Sequence, residues 1–276
     1  MAKGIKMIID FHTHCFPDSL APRAMEQLKI NASRANLTAH TDGTADDLIR
    51  SMDENGIDHS VVCNIATNPR QMHKVNDFAI SLLASHPRLI PLGSLHPEGE
   101  DLEGEAARLC NAGIKGVKIH PDYIKTHLDD SAFDRVFAVC RDAGLFVISH
   151  TGYDPISPDH VHATPDMILN VIKRYRGLKF IAAHVGGVGS ESEVLKKLVG
   201  EELYIDTSLV SLRPEKHEII WEILTSHSPD RILFGTDTPW TEAGREVEFI
   251  KTAQISCELK DKIFFKNAQN LLGKVF

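Results

Sequence analysis

Short apolar, β-branched runs recur along this chain, separated by polar stretches with helical spacing. The runs predict strands over Met7–His12, Ser60–Ile65, Leu89–Leu95, Gly116–His120, Leu145–His150, Lys179–His184, Leu203–Thr207 and Arg231–Thr236. After the first, their ends fall at intervals of roughly 25 to 35 residues, enough for a strand, a turn, a helix and a second turn. The stretches between them carry helix punctuation. Thr44 caps a segment closed by Gly56, and Ser131 opens one closed by Gly144, with Phe133, Val136, Phe137 and Cys140 on one face. Eight such units predict an α/β fold of the (β/α)8 TIM-barrel type. A doubly wound open sheet is the alternative, but its first turn is usually glycine-rich, and here that turn is histidine-rich. Residues 15–45 are too many for an ordinary βα loop and carry Pro17, Pro22, Asn31 and Asn36. They predict a lid-like insertion after strand 1 in a single domain spanning 1–276.

Composition narrows the class. The 276 residues are 42% hydrophobic and 25% charged, as in a globular protein with a substantial core. A net charge of -8 without a basic run argues against a nucleic-acid partner. No apolar stretch approaches a membrane span, and the N-terminal run is too short for a signal peptide. Five cysteines without close pairing read as free thiols in a reducing compartment, so the expected location is cytoplasmic.

The polar residues with metal or acid–base chemistry collect at the predicted strand ends, which in a barrel is where active sites sit. His12 and His14 end strand 1, His120 strand 4, His150 strand 5 and His184 strand 6; Asp206 closes strand 7 and Asp237 follows strand 8. Alternation puts Asp10, His12 and His14 on the barrel-facing side, with Phe11 and Thr13 toward the helices. Two imidazoles so placed reach one ion, and His150 with Asp237 would complete an N3O shell suited to a divalent first-row metal. Each feature alone has a plain structural explanation: a strand-end histidine as filler, Asp237 as a helix cap. His12, His14, His150, His184 and Asp237 arriving together at one rim do not. Lys118 should face inward beside His120, to pair with Asp10, to contact an anionic substrate, or to be carbamylated and bridge two metals. Cys15 reads as a packed thiol. The remaining loop and helix histidines, among them His127, His160 and His162, read as solvated or capping groups.

The segments "IIDFHTH", "GVKIHPDY", "LFVISHTGYD", "KFIAAHVGG", "LYIDTSL", "ILFGTDTPW" and "KIFFKNAQNLLG" together resemble the amidohydrolase superfamily. They are most similar to its amidohydrolase-2 branch, related to the aminocarboxymuconate-semialdehyde decarboxylases, from residue 8 to about 273. The resemblance implies a distorted barrel, His12, His14, His150 and Asp237 as metal ligands, and His184 as the catalytic histidine. It places Lys118 where binuclear members carry a carboxylated lysine, although this branch usually works with one metal. It also allows a homodimer.

The expected activity is that of a metal-dependent hydrolase acting on a lactone, ester or amide of a small substrate, carboxylated substrates included. Zinc is the expected ion, with manganese as the alternative. Asp237 would act as general base and His184 would polarise the carbonyl or protonate the leaving group. Lys118, His120, Tyr153 and Trp240 would bind the substrate, and Asp10 and Asp206 would buttress the ligands. The alternative is non-oxidative decarboxylation of an unsaturated or aromatic acid with the same parts. A TatD-type deoxyribonuclease shares the His-x-His start but would carry a glutamate where this chain reads "PLGSLHPEGE". A non-catalytic metal-binding protein would have little use for both His184 and Asp237.

Overall fold

The computed structural model describes residues 6–274. Its eight strands are β1 (Ile9–Thr13), β2 (His59–Cys63), β3 (Leu89–Leu92), β4 (Gly116–Ile119), β5 (Phe146–Ser149), β6 (Phe180–Ala182), β7 (Tyr204–Asp206) and β8 (Ile232–Leu233). All neighbours pair in parallel, in a three-stranded sheet β1-β2-β3 and a five-stranded sheet from β4 to β8. Two seams join the sheets. At one, Gly93 N donates to Gly116 O at 3.1 Å and Lys118 N to Gly93 O at 2.9 Å. At the other, Phe11 N donates to Phe234 O at 2.7 Å and Asp237 N to His12 O at 2.8 Å. The ring therefore closes as a barrel whose ladder thins at both seams, which is its distortion.

Helices wrap the ring: α1 (Ala21–Ala32), α2 (Ala45–Asn55), α3 (Met72–Ser85), α4 (Leu102–Ala112), a short α5 (Pro121–Ile124), α6 (Asp134–Ala143), α7 (Pro165–Arg174), α8 (Glu191–Lys197), α9 (His217–Ser226) and α10 (Ala243–Thr252). Thr44 caps α2 as its sequence suggests, its hydroxyl accepting from Asp47 N at 3.2 Å, and Gly56 ends that helix in the left-handed region. Before α6 the cap moves by one residue. Asp130 accepts from Ala132 N at 2.8 Å, and a 3-10 turn over Ser131–Phe133 precedes the helix. The apolar faces of the helices meet the strands in one buried core. Among the described residues no helix is long and apolar enough to cross a membrane.

All the strands except β1, which runs one residue further to Thr13, stop earlier than predicted, most of all β3 and β8, because side chains replace the ladder near the C-terminal rim. Gly235 N donates to Thr207 Oγ1 at 3.2 Å, and Thr236 N to Asp10 Oδ1 at 3.0 Å. The strict alternation expected for β1 also fails. Its register against β2 shifts between Asp10 and Thr13, and the Phe11 ring packs 5.6 Å from Phe146 of β5, across the ring. Phe11 thus turns into the barrel instead of toward the helices, because a bulge breaks the period of two. The 15–45 insertion holds α1. Its base is closed by Phe16 N to Gly43 O at 2.8 Å, and His40 N to Pro239 O, also at 2.8 Å, ties it to the segment after β8.

Candidate metal centre

His12, His14 and Asp237 converge at the C-terminal rim, with ligand atoms within 4.8 Å of one another. Asp237 Oδ1 lies 3.1 Å from His14 Nε2 and 3.4 Å from His12 Nε2. The partners of the other ring nitrogens fix the tautomers. His14 Nδ1 faces the Cys63 carbonyl at 2.9 Å, which only accepts, so Nδ1 carries the proton. His12 Nδ1 faces Asp206 Oδ2 at 2.9 Å, with the same consequence. Both rings thus turn an Nε2 lone pair toward a carboxylate oxygen, an arrangement of acceptors that calls for a cation between them.

His150 reaches the same state through a chain. The Ser208 hydroxyl donates to Asp206 Oδ1, so its oxygen accepts from His184 Nδ1 at 2.7 Å. His184 Nε2 then accepts from His150 Nδ1 at 3.0 Å. The His150 Nε2 is left as a lone pair, buried and without a hydrogen bond. All three imidazoles expected to ligate therefore carry their proton on Nδ1 and keep an Nε2 lone pair, that of His12 accepting from Lys118 Nζ at 2.9 Å, which suits a divalent ion that takes neutral imidazole. Their burial agrees. Desolvation, reinforced by the charge of Lys118 and neighbouring histidines, holds His12 and His184 well below the ordinary imidazole range, and desolvation with His120 brings His150 down to about 4.

The expected four-ligand shell is not one tight cluster here. His150 groups with His120 and Asp154 in a neighbouring set, while Asp206 with His12 and His184 forms a third. The third set is already saturated. Asp206 Oδ1 accepts from His184 N at 2.9 Å and Ser208 N at 3.1 Å as well as from the Ser208 hydroxyl. It therefore orients ligands and does not compete for the ion.

Asp10 accepts from Thr236 Oγ1 at 2.6 Å and His12 N at 3.1 Å, beneath the cluster and not in it. Burial pushes its carboxyl up to about 7 against those bonds. Lys118 faces inward as expected, but it meets His12 Nε2 at 2.9 Å and not Asp10. His120 stacks on His150 with centroids 4.3 Å apart and planes 7° from parallel. Tyr153 and Trp240 are half-buried and enter the network through their backbones: Tyr153 N to Val188 O at 2.9 Å, Trp240 N to Asp237 O at 2.8 Å. Cys15 is buried, and its thiol is pushed up to about 12 by desolvation, a packed group as read from the sequence.

Three features were missed by sequence reasoning. Asp154 Oδ2 lies 3.3 Å from His120 Nε2 and 3.7 Å from His150 Nε2. Burial alone would raise this carboxyl, but the His120 hydrogen bond and the two imidazoles outweigh it and hold it below the usual range. Tyr123 sets its ring edge-on to His120 at 4.5 Å in place of the expected Tyr153. Asp154 was legible four residues after His150, and Tyr123 in "HPDY". Ser208, the link between Asp206 and His184, gave no signal beyond following a strand end. His184 and Asp237 also hold left-handed backbones, at φ 57° and 68°, a strain of about 1–3 kcal/mol each that clusters at functional sites.

No curated protein is matched by the sequence. Solved structures are matched along almost the whole length. An uncharacterised TIM-barrel protein from Bordetella bronchiseptica superposes with a TM-score of 0.76 at 20% identity, covering 97% of this chain and 98% of that one. A 2,6-dihydroxybenzoate decarboxylase complexed with 2,6-dihydroxybenzoate gives 0.73 at 15% identity, covering 97% and 99%. A dihydroxybenzoic acid decarboxylase from a Polaromonas species, with bound manganese and 2-nitroresorcinol, gives 0.71 at 18% identity, covering 97% of each chain. These likenesses are of fold. The family model described as Amidohydrolase matches residues 9–274, so the chain belongs to the amidohydrolase superfamily, in its amidohydrolase-2 branch.

Proposed function

We propose that this enzyme is a divalent-metal-dependent, non-oxidative decarboxylase of an aromatic or unsaturated carboxylic acid. The observation that carries the metal-dependent reading is the convergence of His12 Nε2 and His14 Nε2 on Asp237 Oδ1, together with the buried, unbonded Nε2 of His150. The choice of decarboxylation is supported by the barrels of the same architecture that act on dihydroxybenzoates. It reverses the order drawn from the sequence, in which hydrolysis stood first. The stacked His120 and His150 rings with Tyr123 offer a flat wall suited to a planar acid.

His12, His14, His150 and Asp237 would hold the ion, with manganese and zinc both compatible with the donor set. When bound, it supplies Lewis acidity to an oxygen of the substrate. Asp237 carries the proton to the carbon that bears the carboxylate. As that C–H bond forms, the C–C bond to the carboxylate breaks, its electron pair returns to the unsaturated system, and CO2 leaves. His184, locked between Ser208 and His150, holds its neighbour's tautomer and lines the reacting centre. Lys118 is the buried cation available to an anionic substrate. The 15–45 insertion, tied to Pro239 beside Asp237, serves as the cover.

The test is a panel of hydroxybenzoates and unsaturated diacids, beside lactones, esters and amides, incubated with protein loaded with Mn2+ or Zn2+. Release of CO2 from an acid supports the reading. Turnover confined to lactones, esters or amides replaces it with hydrolysis, in which Asp237 takes a proton from water instead of delivering one to carbon.

A further inference from the structure

Asp122 fastens the loop after β4 to the loop after β5. Its Oδ1 accepts from His162 Nδ1 at 2.9 Å and from the Ser157 hydroxyl. His162, read from the sequence as a solvated or capping group, is buried here, and Leu128 N donates to its carbonyl at 2.8 Å. His127 and His160 join the same two loops through a hydrogen bond between their Nε2 atoms at 2.6 Å. Two side chains are thereby set against the His120 and His150 rings: Tyr123, from the short helix α5, and Asp154, from the loop after β5. Neither belongs to the expected metal shell or to the acid–base pair.

The two offer complementary hydrogen-bonding atoms. Asp154 Oδ1 accepts from Ile156 N at 2.7 Å, which leaves Oδ2 to face His120 Nε2 at 3.3 Å. A carboxylate oxygen accepts twice, so Oδ2 keeps a lone pair for another donor. Tyr123 is half-buried, edge-on to His120 with centroids 4.5 Å apart. Among the described residues its hydroxyl makes no hydrogen bond, although a tyrosine packed in this way usually finds a partner. Burial and the negative charges of Asp154, Asp237 and Asp122, in that order, push the phenol up, so it remains a donor. Those same charges place the hydroxyl near both the ligand Asp237 and the wall residue Asp154.

A free donor and a free acceptor beside a flat wall suit one group, a hydroxyl, which accepts from Tyr123 and donates to Asp154 in the same pose. A methoxyl only accepts, an ammonium only donates, and a carboxylate would meet the charge of Asp154. We propose that Tyr123 and Asp154 form a subsite for a hydroxyl of the substrate, so that the preferred substrate is a planar hydroxy acid lying against the stacked His120 and His150 rings. The assignment rests on the reading of the centre as one that takes a planar acid. An analogue without the hydroxyl leaves both side chains unpaired in a confined site, which is how such a site rejects it.

The experiment measures binding apart from turnover. The full chain loaded with Mn2+ is titrated calorimetrically with benzoate, the hydroxybenzoate isomers and the matching methoxybenzoates, while CO2 release is followed in parallel. Wild type is expected to bind one hydroxybenzoate about 10- to 100-fold more tightly than benzoate or the matching methoxybenzoate, the range for a hydrogen bond to a charged group. Tyr123→Phe and Asp154→Asn should each remove most of that preference. Bound Mn2+ is counted in every sample, and Tyr123→Phe decides alone if Asp154→Asn loses its ion or its fold. Equal affinity of wild type for all three kinds of acid, or no binding of any, overturns the subsite, as does a preference that survives in Tyr123→Phe. Selective binding lost in the variants, with no CO2 released from any acid, keeps the subsite and removes the decarboxylase reading. CO2 release without a hydroxyl preference keeps that reading and removes the subsite.

Discussion

Lys118 Nζ stands 2.9 Å from His12 Nε2, the nitrogen that the metal reading needs. Both side chains are buried, and among the described residues Lys118 has no carboxylate partner. The lysine and an ion cannot both take that lone pair, so loading the centre moves the amine off His12 toward the substrate space. Lys118→Met is therefore expected to leave the ion count of the barrel centre unchanged while raising KM for carboxylate substrates, by roughly 10-fold or more for a lost charged hydrogen bond. Metal analysis beside steady-state kinetics checks this. Loss of an ion with the lysine would mean that it helps to bridge two metals.

Asp206 sets the proton on His12 Nδ1 and anchors the Ser208–His184–His150 chain. Asp206→Asn should keep the fold and weaken metal binding by about 10- to 100-fold, the usual effect of removing an orienting carboxylate. Chelator competition measures it; unchanged affinity would separate Asp206 from the centre.

Asp237 is assigned both to the ion and to the proton. With Mn2+ saturating, Asp237→Asn should lower kcat by about 10²- to 10⁴-fold, because the amide cannot carry a proton to or from the reacting atom. Near-normal kcat with the ion retained would remove it from the acid–base role.

Glu246, remote from the centre, gives a pH test of stability. Desolvation pushes its carboxyl from an ordinary 4.5 up to about 8, against hydrogen bonds from Ser211 and the charge of Arg213. The folded state thus holds this proton more tightly than the unfolded chain. Its contribution is fully present below about pH 4.5 and is lost as pH rises through about 8. Melting temperature should decline across that window through this group, and Glu246→Gln, which keeps the acceptor and removes the titration, should flatten the decline. Parallel profiles for the two proteins would refute the shift.

Much of the site was legible because a barrel delivers strand ends to one rim. Once eight runs were placed, His12, His14, His120, His150, His184, Asp206 and Asp237 had to gather there, whatever the loops did. Asp154 and Tyr123 were harder, since they sit in loops where no period says which way a side chain turns. Phe11 was misread because alternation assumes an unbroken ladder, and one bulge reverses it.

The sequence by itself determined the order of strands and helices, because hydrophobic periodicity is local and each unit must bury its own apolar face. It also determined which residues could bind metal, since only those side chains carry the lone pairs. The tertiary structure alone decided which nitrogen of each histidine is free. That choice depends on the Cys63 carbonyl, Asp206 and Ser208, partners 49, 194 and 24 residues away from the rings they orient. The same long-range contacts set Lys118 against His12 instead of Asp10, and gathered His127, His160 and His162, which in sequence had looked like solvated loop residues.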